Sequence, residues 1–306
     1  MATLKEIKGR INTVNGTLKI TSAMKMVASA KLHKAQDTMA NMIPYESQMH
    51  GILYRLLSDE SAPSCEEFAA PRQVRKVAIV AVASNSSLCG AFNANVIRLF
   101  NETAEGYLAS GLTRDDILVF PVGRKMAEAV AKAGYASRGD FNSLADKHVF
   151  GEVKAFAESL TDKFLRKEVD EVALVYSHYK SSSSQEPVRE TYLPFSAASS
   201  RDVRTSGSGQ GALMRQPDPE DGGMDYIIEP DAESVLRALL PKVLVLKIYT
   251  MLLDASAAEH ASRMIAMQEA TDNGNQLLQD LTRQYNRQRQ QSITDELLDI
   301  VSGSLA

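Results

Sequence analysis

The two ends of the chain carry long helical patterns. Near the N-terminus, apolar residues follow one another in alternating steps of three and four positions: Leu4, Ile7, Ile11, Val14 and Leu18. This spacing is the a/d pattern of a coiled coil. All ten prolines lie between Pro44 and Pro241, and proline disfavours a helix interior by about 3 kcal/mol. The first 43 and the last 65 residues therefore contain no proline and favour long helices, and we assign the N-terminal helix to residues 1–60 and the C-terminal helix to residues 227–306.

The C-terminal pattern changes along its length. Val243–Leu253 is apolar nearly all round, which predicts a buried helical segment. Residues 286–297, NRQRQQSITDEL, are polar on every side, and Gly303 is the expected end of the helix. A helix that is polar all round does not bury itself in the core of its own domain. We expect this end of the chain to lie against a partner.

Strands and helices alternate in the centre of the chain. The apolar runs that predict buried strands are 77–83, 117–122 and 172–176, and 190–195 is a candidate fourth strand. The helical patterns between them cover 94–110, 125–133 and 152–167. This alternation predicts a Rossmann-like α/β domain with a mostly parallel sheet over residues 74–195. Residues 196–226 are rich in Ser and Gly and lack periodicity, which predicts a flexible insertion.

The charge distribution restricts the class of partner. The 34 Lys and Arg residues and 38 Asp and Glu residues leave a net charge of −4, so a nucleic-acid partner is not expected. The first 36 residues nevertheless hold seven basic residues and a single acid, Glu6. No apolar run approaches the roughly 18 residues of a membrane span, and the first residues lack the apolar region of a signal peptide. We expect a protein that is at most peripheral to a membrane.

Enzyme motifs are incomplete in this sequence. The run GSGQG at 207–211 lacks the GxGxxG spacing and follows no predicted strand. Gly106 and Gly111 have the spacing of a P-loop, but Leu112 stands where the phosphate-binding lysine belongs. The five histidines form no HExxH or HxH pair, and the two cysteines form no CxxC. We expect no catalytic residue, cofactor or metal in this chain.

Two other functions stay open at this point. The central domain could be an enzyme or a ligand-binding protein whose terminal helices dimerise, because Cys89 lies in the loop after the first strand, where α/β sheets usually place ligands. The chain could also be a generic coiled-coil scaffold. The C-terminal helix discriminates among these functions, since an enzyme has no need of a polar tip without proline.

Several long segments resemble the gamma subunit of F-type ATP synthase. The N-terminal segment is IKGRINTVNGTLKITSAMKMVASAKLHKAQ at 7–36, and the C-terminal segment is YNRQRQQSITDELLDIVSGSLA at 285–306. Inside the chain, SNSSLCGAFNANV at 84–96 and IIEPDAESVLRALLPKVL at 227–244 match as well. The resemblance runs from end to end in the same order, and the paired terminal segments are too long and specific for chance.

The resemblance implies a mechanical role. In this family the terminal helices wrap as an antiparallel coiled coil, which forms a shaft whose C-terminal tip enters a hexamer of alpha and beta subunits. The α/β domain lies beside the epsilon subunit and the c-subunit ring. The beta subunits carry the active sites, and rotation of the shaft couples ion flow to ATP synthesis or hydrolysis. A peripheral location on the cytoplasmic side of the cell inner membrane is implied too.

The resemblance assigns partner contacts to seven residues: Met24, Lys25, Cys89, Arg263, Arg289, Gln290 and Thr294. Met24 and Lys25 match the segment that faces an acidic loop of the beta subunits, and Arg263 lies in the opposed C-terminal segment. Arg289, Gln290 and Thr294 fall in the contact zone with the catalytic ring. The Cys89 loop is expected to touch the ring from below. From the residues alone, Met24 is equally compatible with coiled-coil packing, and the three C-terminal residues with a solvated helix face.

Two features depart from the family pattern. Asn85–Ser87 stand where the family usually has Asp-Arg-Gly, so charged contacts of that loop are not carried over to this chain. The insertion contains no cysteine, so the thiol regulation of plant-type members is not expected here.

Overall fold

The computed structural model describes residues 3–58, 68, 72–195, 228–229 and 231–304. Its helices are α1 (Leu4–Ser58), α2 (Phe92–Ala109), α3 (Arg124–Lys132), α4 (Asn142–Asp146), α5 (Phe150–Leu165) and α6 (Ala232–Ser304). Its strands are β1 (Val77–Val82), β2 (Ile117–Val122), β3 (Glu171–Ser181) and β4 (Ser184–Leu193). The chain divides into two compact units, one combining Met1–Ser29 with Arg263–Ala306 and the other covering Ala30–Ser262. The predicted insertion at 196–226 lies outside the described residues.

The larger unit is built on one four-stranded sheet. The strand order is β2-β1-β3-β4, in which β1 pairs in parallel with β2 and β3, and β4 pairs antiparallel with β3. All six residues of β1 are buried, because helices cover both faces of this central strand. The prediction of an α/β fold with a mostly parallel sheet is therefore confirmed.

The third and fourth strands differ in extent from the sequence prediction. The apolar run at 172–176 marks only the buried half of β3, which continues to Ser181 and turns directly into β4. The outer half of this hairpin is only partly buried, so its residues are polar and give no apolar run. The candidate strand at 190–195 is thus the end of a strand that begins at Ser184.

Alternating side chains of the sheet pack into two hydrophobic cores, one on each face. On one face, Ile79 and Val119 pack with α2 and α3 around Phe100. On the other face, Val80 and Leu174 pack with α5 and with buried segments of α1 and α6. The unit therefore has three layers, with the sheet in the middle.

The smaller unit is a pair of antiparallel helical segments from α1 and α6. Thr21 lies beside Thr271, and Leu18 lies against Gly274. Residue numbers thus decrease along α1 where they increase along α6, as in an antiparallel pair. A Cβ at Gly274 would be 2.7 Å from the Leu18 Cδ2 atom, so glycine permits close packing here. The coiled-coil spacing read from the sequence thus corresponds to a real helix pair.

The C-terminal helix has a defined start. Asp231 accepts a hydrogen bond from the backbone N–H of Ser234 at 2.8 Å, as an N-terminal capping residue does. At the other end, α6 continues to Ser304, so the prediction that Gly303 ends the helix is wrong by one residue.

Candidate partner-binding surfaces

Two polar pairs continue the seam between the paired helices. Thr21 and Lys25 follow Leu18 at the same alternation of three and four positions. The Thr21 hydroxyl is hydrogen-bonded to that of Thr271 at 2.9 Å, and the Lys25 Nζ atom donates to the Gln268 Oε1 atom. The ammonium of Lys25 is therefore directed along the seam, and its side chain is half-buried.

Met24 lies on a different face of α1. It is 40% exposed, and Ile20 and Val27, which precede and follow it by one helical turn, are 58% and 57% exposed. These three residues form an exposed apolar stripe, which we call the α1 stripe. Met24 does not pack in the seam, so its side chain is free to meet a partner. A contiguous exposed apolar surface of this kind is typical of a protein-binding site.

Basic side chains accompany the α1 stripe along the same helix. Within the smaller unit, Lys5, Lys8, Arg10 and Lys19 are all exposed. Exposed cations steer association with an acidic surface and act mainly on the rate of encounter. This segment therefore presents apolar contact area together with positive charge.

The end of α6 exposes more apolar surface than the sequence analysis predicts. Arg289, Gln290 and Thr294 are exposed, which agrees both with partner contacts and with a solvated helix face, and the Thr294 hydroxyl donates to the carbonyl of Gln290 in its own helix. An apolar group lies beside them, with these exposed members: Ile293, Leu297, Leu298, Ile300 and Val301. We call this group the α6 stripe. The run predicted to be polar on every side, 286–297, contributes only Ile293 and Leu297 to this group, and the helical period brings them to one side with the three apolar residues that follow the run.

Arg263 has a different environment from the residues near the helix end. It is half-buried where α6 enters the paired segment, and its side chain makes contacts there. It is thus placed in the smaller unit, as the resemblance implies, but it is less accessible than Arg289.

The loop after β1 is held by Asn85. Its side-chain N–H groups donate to the carbonyl of Asn142 at 2.8 Å and to Asp146 at 2.6 Å, and its Oδ1 atom accepts from the Arg124 backbone N–H at 2.9 Å. Asn85 therefore joins the start of α3 and both ends of the short helix α4 to the loop. The position at which the family usually has an Asp is Asn85 in this chain and serves as an internal anchor.

Cys89 lies inside the protein rather than on this loop's surface. Its side chain is 1% exposed and packs with Phe92, Ala258 and Tyr179. Its carbonyl accepts a hydrogen bond from the Ser262 hydroxyl at 2.7 Å. The thiol is therefore enclosed, and the surface of the loop consists of neighbours such as Leu88, which is 61% exposed.

Helix α6 fills the place where a ligand would bind to this sheet. Doubly wound sheets hold ligands beyond the carboxyl ends of the strands, where the strand order reverses, and here that place lies between β1 and β3. Ala258 closes it by contact with the Cys89 cluster. The cavity beside it, lined in part by Ala255 and His148, has a volume of about 10 Å³, which is about one water molecule at most. Burial lowers the pKa of His148 below its ordinary value of 6.5.

A larger hollow of about 650 Å³ lies at the outer edge of β2. Both signs of charge line it, including Arg138, Asp115 and the Lys163–Glu168 ion pair of 3.1 Å. Among the described residues, no group of three or more His, Cys, Asp or Glu side chains is arranged to hold a metal ion. None of the described helices is long and apolar enough to span a membrane.

Comparisons with known proteins match the whole chain. A protein-family model described as ATP synthase matches residues 3–306. The ATP synthase gamma chains of Phocaeicola vulgatus and Bacteroides fragilis are 50% and 51% identical to this chain, each over 100% of both chains. The ATP synthase gamma chain of Flavobacterium johnsoniae is 37% identical over 100% of this chain and 99% of its own length.

Solved structures share the fold at low sequence identity. A chain of the mitochondrial ATP synthase of Euglena gracilis aligns with a TM-score of 0.62 at 18% identity, covering 99% of this chain and 93% of that one. A chain from the central stalk and c-ring of the Tetrahymena thermophila enzyme aligns with a TM-score of 0.55 at 20% identity, covering 82% and 99%.

Proposed function

Since this chain belongs to the ATP synthase gamma chain family, we propose that it is the rotating central shaft that couples ion flow through a membrane ring to ATP synthesis or hydrolysis. The paired segments of α1 and α6 form the shaft. The catalytic sites lie on the beta subunits of the surrounding hexamer, and this chain sets their state through its rotational angle.

The α6 stripe is the observation that carries the proposal. It exposes Leu297, Leu298 and Ile300 by 57%, 62% and 68%. Full burial of one such side chain is worth about 1.5–3 kcal/mol, so this surface favours a partner with an apolar lining. The end of a shaft that turns inside a collar of alpha and beta subunits would bury it.

The candidate contact residues divide between two regions of this partner. We propose that Arg289, Gln290 and Thr294 flank the apolar contact at the inner end of the hexamer. We propose that the α1 stripe, with Met24 at its centre, meets an acidic loop of the beta subunits. Lys25 supports this contact from the seam through its bond to Gln268.

The α/β domain provides the contacts at the membrane end in this proposal. The epsilon subunit and the c-subunit ring bind it there, and the complex is peripheral to the cytoplasmic side of the cell inner membrane. The similar Euglena and Tetrahymena chains come from assemblies that include a c-ring, which supports this placement. Ser87 and Leu88, both exposed, present the loop of Cys89 to the underside of the hexamer.

Reconstitution with purified alpha and beta subunits tests the proposal. The full-length chain is expected to join one copy per hexamer and to increase ATP hydrolysis. Removal of residues 285–306 is expected to weaken assembly or turnover. Replacement of Ile293, Leu297 and Ile300 by serine should do the same, because it removes apolar contact without shortening the helix.

A matched control separates contact chemistry from altered helix stability. In the control, the exposed Gln284, Arg287 and Gln291 of the same helix are replaced by serine. We expect it to assemble like the unmodified chain. If the full-length chain neither binds the hexamer nor changes turnover, the shaft proposal is wrong.

A further inference from the structure

Helix α6 contacts the sheet through a segment that is buried all round. From Val243 to Glu259, every side chain except Tyr249 is buried. An amphipathic helix is fixed in rotation by its one apolar stripe, but this segment has none. Hydrophobic burial is also non-directional. A roll of the helix would disturb its close packing but would still leave most of its apolar area buried, so directional contacts add a restraint that selects one angle.

The first directional contact joins Lys247 of α6 to Glu190 of β4. The Lys247 Nζ atom lies 2.8 Å from the Glu190 Oε1 atom, and the two side chains are only 8% and 11% exposed. The Lys247 ammonium is also 3.5 Å from the carbonyl of Thr191, so it faces the β4 backbone as well. We call this contact the first polar clamp.

The second directional contact joins Asp254 of α6 to β3. One carboxylate oxygen of Asp254 is 2.6 Å from the His178 Nδ1 atom, and the other accepts the backbone N–H of Tyr179 at 3.0 Å. The hydroxyl of Tyr179 in turn accepts a hydrogen bond from the Gln36 side chain of α1 at 2.9 Å. This second polar clamp therefore connects both long helices to the same point on the sheet.

The two clamps act at different heights on the same side of the helix. Lys247 and Asp254 are seven residues apart, which is about 10 Å along a helix and about 20° around it. Glu190 lies opposite Leu174 in the sheet, and His178 is four residues further along β3, about 13 Å away. One clamp alone would permit a pivot, but two clamps at separate heights oppose both rolling and sliding.

Stability does not explain these contacts well. Replacing a buried ion pair by apolar residues of similar size is often neutral or stabilising, because removing the charges from water offsets their attraction. The best-attested use of buried polar pairs is to fix register. An all-buried helix without a stripe is a place where such a function is needed.

We propose that the two polar clamps hold the rotational angle of α6 on the sheet, so that torque passes between the α/β domain and the shaft helix through them. This inference rests on the proposed function and adds the residues that transmit the load. A charged atom lies about 5 Å from the helix axis. A roll of about 10° displaces it by about 1 Å, which is enough to break a hydrogen bond.

The test compares ATP hydrolysis by soluble complexes, in which the shaft turns without a load, with ion pumping by the holoenzyme, in which the shaft has to drive the membrane ring. In the variant E190Q/K247M the first clamp is neutral and its volume is nearly kept, and in D254N the second clamp loses its charge. We expect soluble complexes of these chains with alpha and beta subunits to hydrolyse ATP normally. In the membrane-embedded holoenzyme, the ions pumped per ATP should fall.

A direct readout is the angle of a probe on the α/β domain. Biotin attached to the thiol of a K132C variant, at an exposed position, reports the angular spread during each catalytic pause. We expect the spread to widen by about 10° or more when both clamps are changed together. The control is E233Q, which removes an exposed ion pair to Arg237 on the same helix and should leave the spread unchanged.

The outcomes separate this inference from the proposed function. If the unmodified chain assembles and pumps, but the clamp variants keep its angular spread and pumping ratio, the clamps do not hold the angle. If every clamp variant fails to assemble, and the charge-swapped E190K/K247E does not restore assembly, the pairs serve folding and the inference is wrong. If the unmodified chain itself fails to assemble, the proposed function fails instead.

Discussion

Gly123 is the position at which the structure predicts the largest effect of a single methyl group. It joins β2 to α3 with φ of 92° and ψ of 141°, a conformation that is essentially reserved for glycine. A Cβ there would lie 2.0 Å from the carbonyl oxygen of Ala83, whereas real Cβ contacts stay beyond 3.0 Å. The G123A variant therefore has to move the end of β1 away from the end of β2.

The expected cost follows from two contributions. The unfavourable backbone conformation costs about 1–3 kcal/mol. The separation also weakens the hydrogen bond from the Ala83 N–H to Val122 and the one from the Lys125 N–H to Ser84, at about 1 kcal/mol each. We expect G123A to lower the free energy of unfolding by about 3–5 kcal/mol. This loss is a large part of the stability of a typical native protein, which is about 5–15 kcal/mol.

Two other glycines provide matched controls. Gly111 also has positive φ, at 99°, but no atom lies within 4 Å of its Cβ position. The G111A variant should therefore lose only about 1–2 kcal/mol. Gly106 lies inside α2 with the same open surroundings, and G106A should gain about 1 kcal/mol from helix propensity.

Urea titration of the full-length chain with pulse proteolysis measures this series. The midpoints should rank as G106A, unmodified chain, G111A and G123A, from highest to lowest. If G123A and G111A have the same midpoint, the close approach of the two strand ends contributes nothing, and the reasoning is refuted.

Three further predictions concern the seam, the enclosed thiol and a partly buried histidine. T21V and T271V should each destabilise the helix pair by about 1 kcal/mol, whereas the double variant should be nearly neutral in a urea double-mutant cycle; additive losses would contradict a shared hydrogen bond. In a C65S background, maleimide should label Cys89 slowly. The additional substitution S262A should speed this labelling about five-fold, because it removes a hydrogen bond worth about 1 kcal/mol; fast labelling without S262A would show that the thiol is not enclosed. Because the pKa of His148 is lowered in the folded chain, unfolding takes up a proton, so stability should fall as the pH drops below about 6.5; H148Q should reduce this dependence in urea titrations, and an unchanged slope would contradict it.

Periodicity predicted both long helices and the buried part of the sheet, but not the short helix α4 (Asn142–Asp146). The spacing of Leu4 to Leu18 specified a helix seam, and the all-buried run of β1 specified a central parallel strand. The exposure of Met24 was not fixed by the seam register, because position 24 lies three residues from Thr21 and four from Ala28, at the margin of the buried face. The β3–β4 hairpin was underestimated because its outer half is only partly buried and therefore polar.

The site could be predicted less well, for two physical reasons. The α6 stripe spans the end of the polar run and the residues after it, so it becomes visible only when Ile293 to Val301 are placed at the helical period. The burial of Cys89 depends on Ala258 and Ser262, which lie far away in sequence. No local pattern encodes a contact over such a separation.

The filled crevice of the sheet has a consequence for pharmacology. Ala258 occupies the space in which related sheet architectures hold a ligand, so a compound directed at this position has to displace the helix as it binds. Its apparent affinity would be reduced by the fraction of time that the crevice is open. Such a compound would inhibit by separating α6 from the α/β domain. Raising the nucleotide concentration would not relieve this inhibition.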